Sequence, residues 1–319
     1  DHLGITGVSS DQILPSLAPG INVLTYHPRY HSFYVFLLEE FWKRDRVRTP
    51  REWIKFFRPR EFIFSLGANL CDQPEHGDMR NIVGGQKTGP LAAQRLETYD
   101  TSFDYIKSEL GGYGLYYRSV MAELGLIYPG GPGFPYPVDV PTERRGKRAA
   151  GAFREAVRET EYYRLFFDGD SALVPINVIE EYGRRACLCQ LQVPGAPDRG
   201  ELRDAYLHGG TQAEPRRETL RLFLDIAFQT EGHDVDQDSF RQLIYYGAAP
   251  GGACYRPRPE VDLMHRRWRL YQAREYYAFA LNALWHYLCD WGIDHSGDVR
   301  PVPLSDFWAH VEQALDFDA

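Results

Sequence analysis

The sequence predicts a mostly α-helical protein, a multi-helix bundle in two packed helical units, and three observations predict it. In residues 260–291, "EVDLMHRRWRLYQAREYYAFALNALWHYLCDW", Leu270, Tyr277, Leu281, Leu284 and Leu288 recur at three, four and seven residues. Arg266, Arg269, Glu275 and Asn282 fall mostly on other faces, the pattern of an amphipathic helix. Several apolar runs also begin at residues that start or cap helices, namely Pro28, Asp236 and Ser305. Sustained period-2 alternation bounded by hairpin turns is hard to find anywhere in the chain.

The first strong element follows "NVLTYHPRYHSFYVFLLEEFW" at 22–42, where Pro28 suits a first turn because its missing N–H would have had no partner there. Tyr30, Phe33, Leu37 and Phe41 then share a face, with Glu39, Glu40, Lys43 and Arg44 beyond it. Two Pro-Arg-Glu starts, at Pro50 and Pro59, suggest a pair of helices, "PREWIKFF" and "PREFIFSL". Residues 71–90 are polar and Gly-rich, hence a long loop, and helix resumes near 102–110 and 116–124. The stretch 128–151, "YPGGPGFPYPVDVPTERRGKRAAG", has too many Pro and Gly residues to continue a helix and reads as a linker. Further helices are expected at 152–167, 176–191, 201–207, 214–230, 237–246, 260–291 (stopped by Gly292) and 305–315. The expected division is therefore a helical domain at 1–128, a Pro/Gly-rich basic linker at 129–151, and a second helical domain at 152–319 built on the long helix. A chain of 319 residues has room for two such units, since single cores stop growing near ~250–300 residues.

Composition removes some functions. The formal net charge of −8 opposes a general electrostatic footprint for nucleic acid or an anionic membrane, so such binding would need a local patch. No stretch approaches the roughly 18–20 apolar residues of a membrane span. Five cysteines, Cys71, Cys187, Cys189, Cys254 and Cys289, form no C-x-x-C pair, which argues against a disulfide framework and against a thiolate zinc site. A reducing cytoplasm is the expected location, and no cofactor, metal ligand or catalytic residue is assigned.

Each motif has a plainer alternative. His27 and His31 stand four apart, yet Pro-Arg-Tyr lies between them where a metalloprotease has its glutamate, so helix-entry packing is preferred to metal ligation. His233, Asp234, Asp236 and Asp238 in "GHDVDQDSF" fail the EF-hand spacing, because Ser239 and Tyr245 occupy the positions of the glycine and the distal glutamate; helix capping explains the acids better. Asp168 and Asp170 in "FDGDSA" read as a turn. "NIVGGQKTGP" has Gln86 where a P-loop needs glycine before Lys87. "GGYGLYY" from Gly111 reads as a tight junction where only glycine allows close backbone approach. Cys187 and Cys189 sit on a candidate helix without a histidine nearby in sequence, and the serines lack a G-x-S-x-G elbow. Basic clusters occur from Lys43, from Glu143 and from His265. The middle one, with Arg144, Arg145, Lys147 and Arg148 on the expected linker, is the candidate contact for an anionic partner.

The pattern at the N-terminus resembles large uncharacterised bacterial proteins encoded in genomic islands beside helicases, nucleases or methylases, which look like components of phage-defence systems. The resemblance runs through Leu17 to Gly20, Arg29-Tyr30, Phe33-Tyr34 and Gly111-Gly112-Tyr113, and covers roughly the first 130 residues. It implies a role in a multi-protein system and carries no catalytic residues. The expected function is thus a non-catalytic helical subunit or adaptor of an antiphage assembly, acting through protein–protein contacts. The alternatives are a nuclease or other metal-dependent phosphodiester hydrolase, which requires the dispersed acids to converge, and a nucleic-acid-binding module, which requires the basic clusters to merge.

Overall fold

The computed structural model describes residues 12–22, 24–44, 47–169, 172–294 and 303–315, with Gly7 besides; at 291–294, 310, 314 and 315 it describes the backbone alone. The fold is mostly α, as expected. The helices are α1 (Leu14–Leu17), α2 (Arg29–Lys43), α3 (Pro50–Asn69), α4 (Gly85–Ala93), α5 (Arg118–Glu123), α6 (Arg145–Val157), α7 (Ile176–Ala186), α8 (Pro197–His208), α9 (Ala213–Gln229), α10 (Gln237–Tyr246), α11 (Asp262–Asp294) and α12 (Leu304–Leu315). Short strands β1 (Thr98–Asp100), β2 (Ile127–Tyr128), β3 (Val140–Pro141) and β4 (Leu173–Pro175) form two antiparallel pairs, β1 with β4 and β2 with β3. Among the described residues no helix is long and apolar enough to cross a membrane.

Two compact units divide the chain, Pro19–Arg217 in one and Asp1–Ala18 with Glu218–Ala319 in the other. This differs from the expected division at 129–151. That stretch is not a linker: its second half begins α6, whose Ala149, Ala150, Phe153 and Val157 are fully buried. The Pro/Gly signal is genuine only for 129–139, a surface loop between β2 and β3. The actual boundary at 217/218 falls inside α9, where composition leaves no mark.

In the Pro19–Arg217 unit, α2 is the central element. Tyr30, Phe33, Tyr34, Val35, Phe36, Leu37, Leu38 and Phe41 are all fully buried, so the helix is covered on every side, as a core helix must be. The small Ala149 and Ala150 let α6 lie close against it, and Phe33 stacks on Phe64 of α3 at 4.1 Å while meeting Phe153 of α6 edge-on at 5.6 Å. Each such side chain stabilises the fold by about 1.5–3 kcal/mol through burial. The two expected Pro-Arg-Glu helices are one helix, α3. Thr49 caps it by accepting from the Glu52 N–H, and Pro59 is tolerated inside it on the half-exposed side. Residues 102–110 form turns rather than the expected helix, and the expected 71–90 loop holds the start of α4.

Where α3 crosses α7, glycine faces glycine. A Cβ on Gly67 would lie 3.1 Å from the Gly183 Cα, and a Cβ on Gly183 would lie 2.9 Å from the Gly67 carbonyl carbon and closer to its oxygen. Only bare backbones fit at that spacing. Gly111 and Gly112 form the close junction the sequence suggested: Gly111 has φ +55° and lies against the Glu61 carboxylate, and Gly112 donates its N–H to that group at 3.1 Å.

The second unit is organised by Thr219, whose hydroxyl donates to the Leu17 carbonyl at 2.6 Å and accepts from Trp268 Nε1 at 3.0 Å. Trp268, Phe223 and Phe240 meet edge-on around it. Asp236 caps α10 as expected, accepting from the Ser239 N–H at 2.8 Å. Ser305 is no cap, because α12 begins one residue earlier, and α11 continues past Gly292 to Asp294.

Candidate functional site

One group of chemically capable side chains converges among the described residues: Cys71, His76, Cys187 and Cys189, whose ligand atoms all lie within 4.8 Å of one another. The helix crossing builds it. Four residues beyond Gly67, just past the end of α3, stands Cys71; four residues beyond Gly183, at the C-terminal cap of α7, stands Cys187. The close approach of the two glycines therefore delivers one cysteine from each helix end to the same place. A 3₁₀ turn, Pro74–His76, carries His76 back towards Cys71, and a second, Leu188–Gln192, places Cys189 beside Cys187.

The separations are short. Cys71 Sγ and Cys189 Sγ are 3.8 Å apart, and His76 Nδ1 lies 3.2 Å from Cys187 Sγ. All three thiols are free, at a distance far beyond a sulfur–sulfur bond of about 2.05 Å. Cys187 and Cys189 are buried, and Cys71 and His76 are half-buried. Hydrogen bonds from Cys187 and Cys71 draw the Cys189 thiol below its ordinary pKa; the same contacts, seen from Cys187, push that thiol up. Such crowding lets one sulfur ionise at the expense of its neighbours. The Gln190 amide reaches Cys189 Sγ at 3.7 Å.

The cluster is held from behind. Buried Arg29 donates to the Cys187 carbonyl at 2.6 Å and to Asp198 at 3.2 Å, and Ser32 donates to the same carboxylate at 2.6 Å. On the outer side Arg184 grips Asp72 through two bonds of 3.0 and 3.1 Å.

A different feature marks the second unit. The face of α11 that the sequence assigned to the core is only partly covered, with Leu281, Leu284 and Leu288 half-buried and its first two residues turned outward. Leu270 and Tyr277 are 73% and 63% exposed, with Leu263 at 65% and Leu284 half-buried. The buried face carries Met264, His265, Trp268, Gln272 and Ala278 instead. Leu263, Leu270, Tyr277 and Leu284 stand seven apart, which keeps them on one side of the helix over about 32 Å. Exposed Arg266, Arg267 and Arg269 accompany the stripe. Nearby in the same unit, an open depression of about 400 Å³ is lined by Phe223, Ile226, Ala227, Val235 and Phe240 with Asp236 at its side.

The remaining sequence candidates have local roles. His27 Nε2 contacts the Arg80 carbonyl at 2.6 Å, and His31 Nε2 the Tyr206 hydroxyl at 3.0 Å; burial pushes the His31 pKa down to about 3. The pair does not form a shared site, as the packing interpretation expected. Asp238 pairs with Arg241 at 3.3 Å, and Asp168 pairs with Arg44. Asp170 lies outside the described residues. Lys87 turns to Asp104 at 3.1 Å, and Thr88 is buried against Ser65 at 2.8 Å, so neither is presented to a phosphate. Of the basic candidates, Arg145 pairs with Asp204 at 3.1 Å, Arg148 with Glu201 at 2.8 Å and Lys147 with Glu143 at 2.6 Å, while Arg144 is exposed. Two of these pairs tie α6 to α8, so the cluster supports packing that the linker expectation denied it.

The sequence reading does not name His76, and it sets Cys71, Cys187 and Cys189 aside with the other cysteines. The usable signal is two short ligand pairs, Cys-x-x-x-x-His and Cys-x-Cys, which a search for C-x-x-C passes over. Comparison with known protein families, curated proteins and solved structures finds no match.

Proposed function

We propose that this chain is a non-catalytic helical subunit that acts through protein–protein contacts, its partner presenting an amphipathic helix with acidic flanks. The observation that carries this reading is the outward stripe of α11. Large apolar side chains exposed in register are a contact surface without a partner inside the described chain, and contiguous patches of this kind mark interaction sites. Heptad spacing suits a facing helix, and the arginines alongside favour carboxylates at its edges. Placement in a bacterial antiphage assembly rests on the N-terminal resemblance alone.

Among the acids that a hydrolase would need, Asp168 and Asp238 are held in ion pairs and Asp236 caps a helix, which favours the non-catalytic reading. The ion pairs of Arg145, Lys147 and Arg148 within the chain likewise weaken the case for a nucleic-acid-binding patch around them. The test is co-expression of the full chain with the products of its neighbouring genes, followed by size-exclusion chromatography. Leu270→Glu with Tyr277→Glu should dissolve the complex while changing stability by less than about 0.5 kcal/mol, as exposed substitutions do. A complex that withstands the double substitution, or metal-dependent cleavage of DNA by the isolated chain, would sink the proposal.

A further inference from the structure

We propose that Cys71, His76, Cys187 and Cys189 bind a single structural Zn²⁺ that ties the C-terminal ends of α3 and α7 together. The geometry points to it first. Tetrahedral zinc with Zn–S bonds near 2.3 Å and a Zn–N bond near 2.0–2.1 Å has edges of about 3.8 Å between sulfurs and about 3.6 Å between sulfur and nitrogen. The Cys71–Cys189 separation is 3.8 Å and the His76–Cys187 separation 3.2 Å, with every other pair of ligand atoms inside 4.8 Å. Seating a cation at the centre of the four requires the wider pairs to close by up to about 1 Å, which side-chain rotation can supply.

The donor set selects the metal. Three sulfurs and one imidazole nitrogen are soft to borderline ligands, unsuited to calcium or magnesium, which take oxygen. A Cys₃His set of four protein ligands closes the coordination sphere, the arrangement of structural rather than catalytic zinc. Binding displaces the thiol protons to solvent, so that Zn²⁺ and three thiolates leave one negative charge on the centre. The Gln190 amide already donates to one of the sulfurs that would carry it, Cys189 Sγ, at 3.7 Å.

Other uses of the cluster fit less well. A disulfide would join two of the three cysteines and strand the third beside a histidine. A Cys187–His76 nucleophilic pair would need substrate access, yet Cys187 is 1% exposed and enclosed by the other two sulfurs. A structural ion accounts for all four residues at once. It also has mechanical sense, since the ligand pairs are 118 and 111 residues apart in sequence and one ion closes both long loops.

The experiment uses the full chain purified under reducing conditions without chelator. Elemental analysis should find close to one zinc per chain, and replacement by Co²⁺ should give the visible absorption of a tetrahedral thiolate site. The pair Cys187→Ser and Cys189→Ser should lose the metal, while Cys254→Ser, at an exposed cysteine of the other unit, should keep it. Should the double variant fail to fold, the wild-type chain decides the matter: stripping with a chelator should lower its thermal midpoint and added Zn²⁺ should restore it. Less than a tenth of an equivalent of transition metal, with no response of the midpoint to added Zn²⁺, would overturn the proposal. This outcome is independent of whether the α11 stripe binds a partner.

Discussion

Gly183→Ala is the substitution that probes the α3–α7 crossing most directly. The new Cβ would stand 2.9 Å from the Gly67 carbonyl carbon, whereas unstrained carbon–carbon contacts begin near 3.5–4.0 Å. The neighbour is backbone, which has no rotamer to escape through, so the two helices must part by about 0.6–1 Å. Overpacking of this kind costs about 1–3 kcal/mol. For a unit of roughly 200 residues, with about 2–4 °C of midpoint per kcal/mol, the thermal transition should fall by about 2–12 °C. The displacement is transmitted over only four residues to Cys71 and Cys187. Metal sites accept departures of about 0.2 Å, so zinc content should fall as well. Scanning calorimetry and elemental analysis of the same sample read both effects. Gly151→Ala is the control, a helical glycine of α6 with nothing within 4 Å of its added Cβ; it should gain about 0.4–1 kcal/mol from the stiffer unfolded chain. A Gly183→Ala chain as stable as wild type with its metal intact would refute the crossing as the device that assembles the cluster.

Two further perturbations test the supporting core. Asp198→Ala would leave the Arg29 guanidinium, 1% exposed, with the Cys187 carbonyl but no carboxylate, and urea denaturation should show a loss of about 3–5 kcal/mol; a loss under about 1 kcal/mol would mean the pair is not the buried anchor described. His31 titrates near 6.5 when unfolded but is held down to about 3 by burial, so between these values the unfolded state takes up the proton; its contribution is intact above pH 6.5 and is lost as pH falls, by up to about 1.4 kcal/mol per unit. The stability difference between wild type and His31→Gln should therefore shrink on acidification over that window, and a pH-independent difference would contradict burial of the neutral ring.

Much of the fold was legible because helix signals are local. The Pro28 entry, the Asp236 cap and the apolar run after Arg29 specify their elements with information a few residues long. The errors arose where composition had to stand for tertiary context. Arg144 to Arg148 look like a solvated linker until α8 supplies Asp204 and Glu201, and Ala149, Ala150 and Phe153 reveal their purpose only when α2 lies against them. The α11 error is of another kind. Apolar residues follow two stripes along that helix, and periodicity alone cannot say which one the protein covers; Trp268 and Met264 face the core, while Leu270 and Tyr277 do not.

The Cys/His cluster shows why a ligand site can be invisible in a single sequence while being strongly specified by it. Its two halves are brought together by a contact that has no side chains, Gly67 against Gly183, and glycine in a helix announces flexibility more readily than proximity. Once that crossing is known, the positions of Cys71 and Cys187 follow, because each lies one helical turn beyond its glycine and a turn advances the chain by about 5.4 Å. The two 3₁₀ turns then fold His76 and Cys189 inward. Arg29 joins this assembly to the core by holding the Cys187 carbonyl and the Asp198 carboxylate from a helix that is buried on all sides. Its helix neighbours Tyr30, Phe33 and Tyr34 are fully buried. This stretch is scaffold: His31 packs against Tyr206, Tyr30 and Tyr34 sit in the core, and Arg29 buttresses the place where four ligand atoms meet.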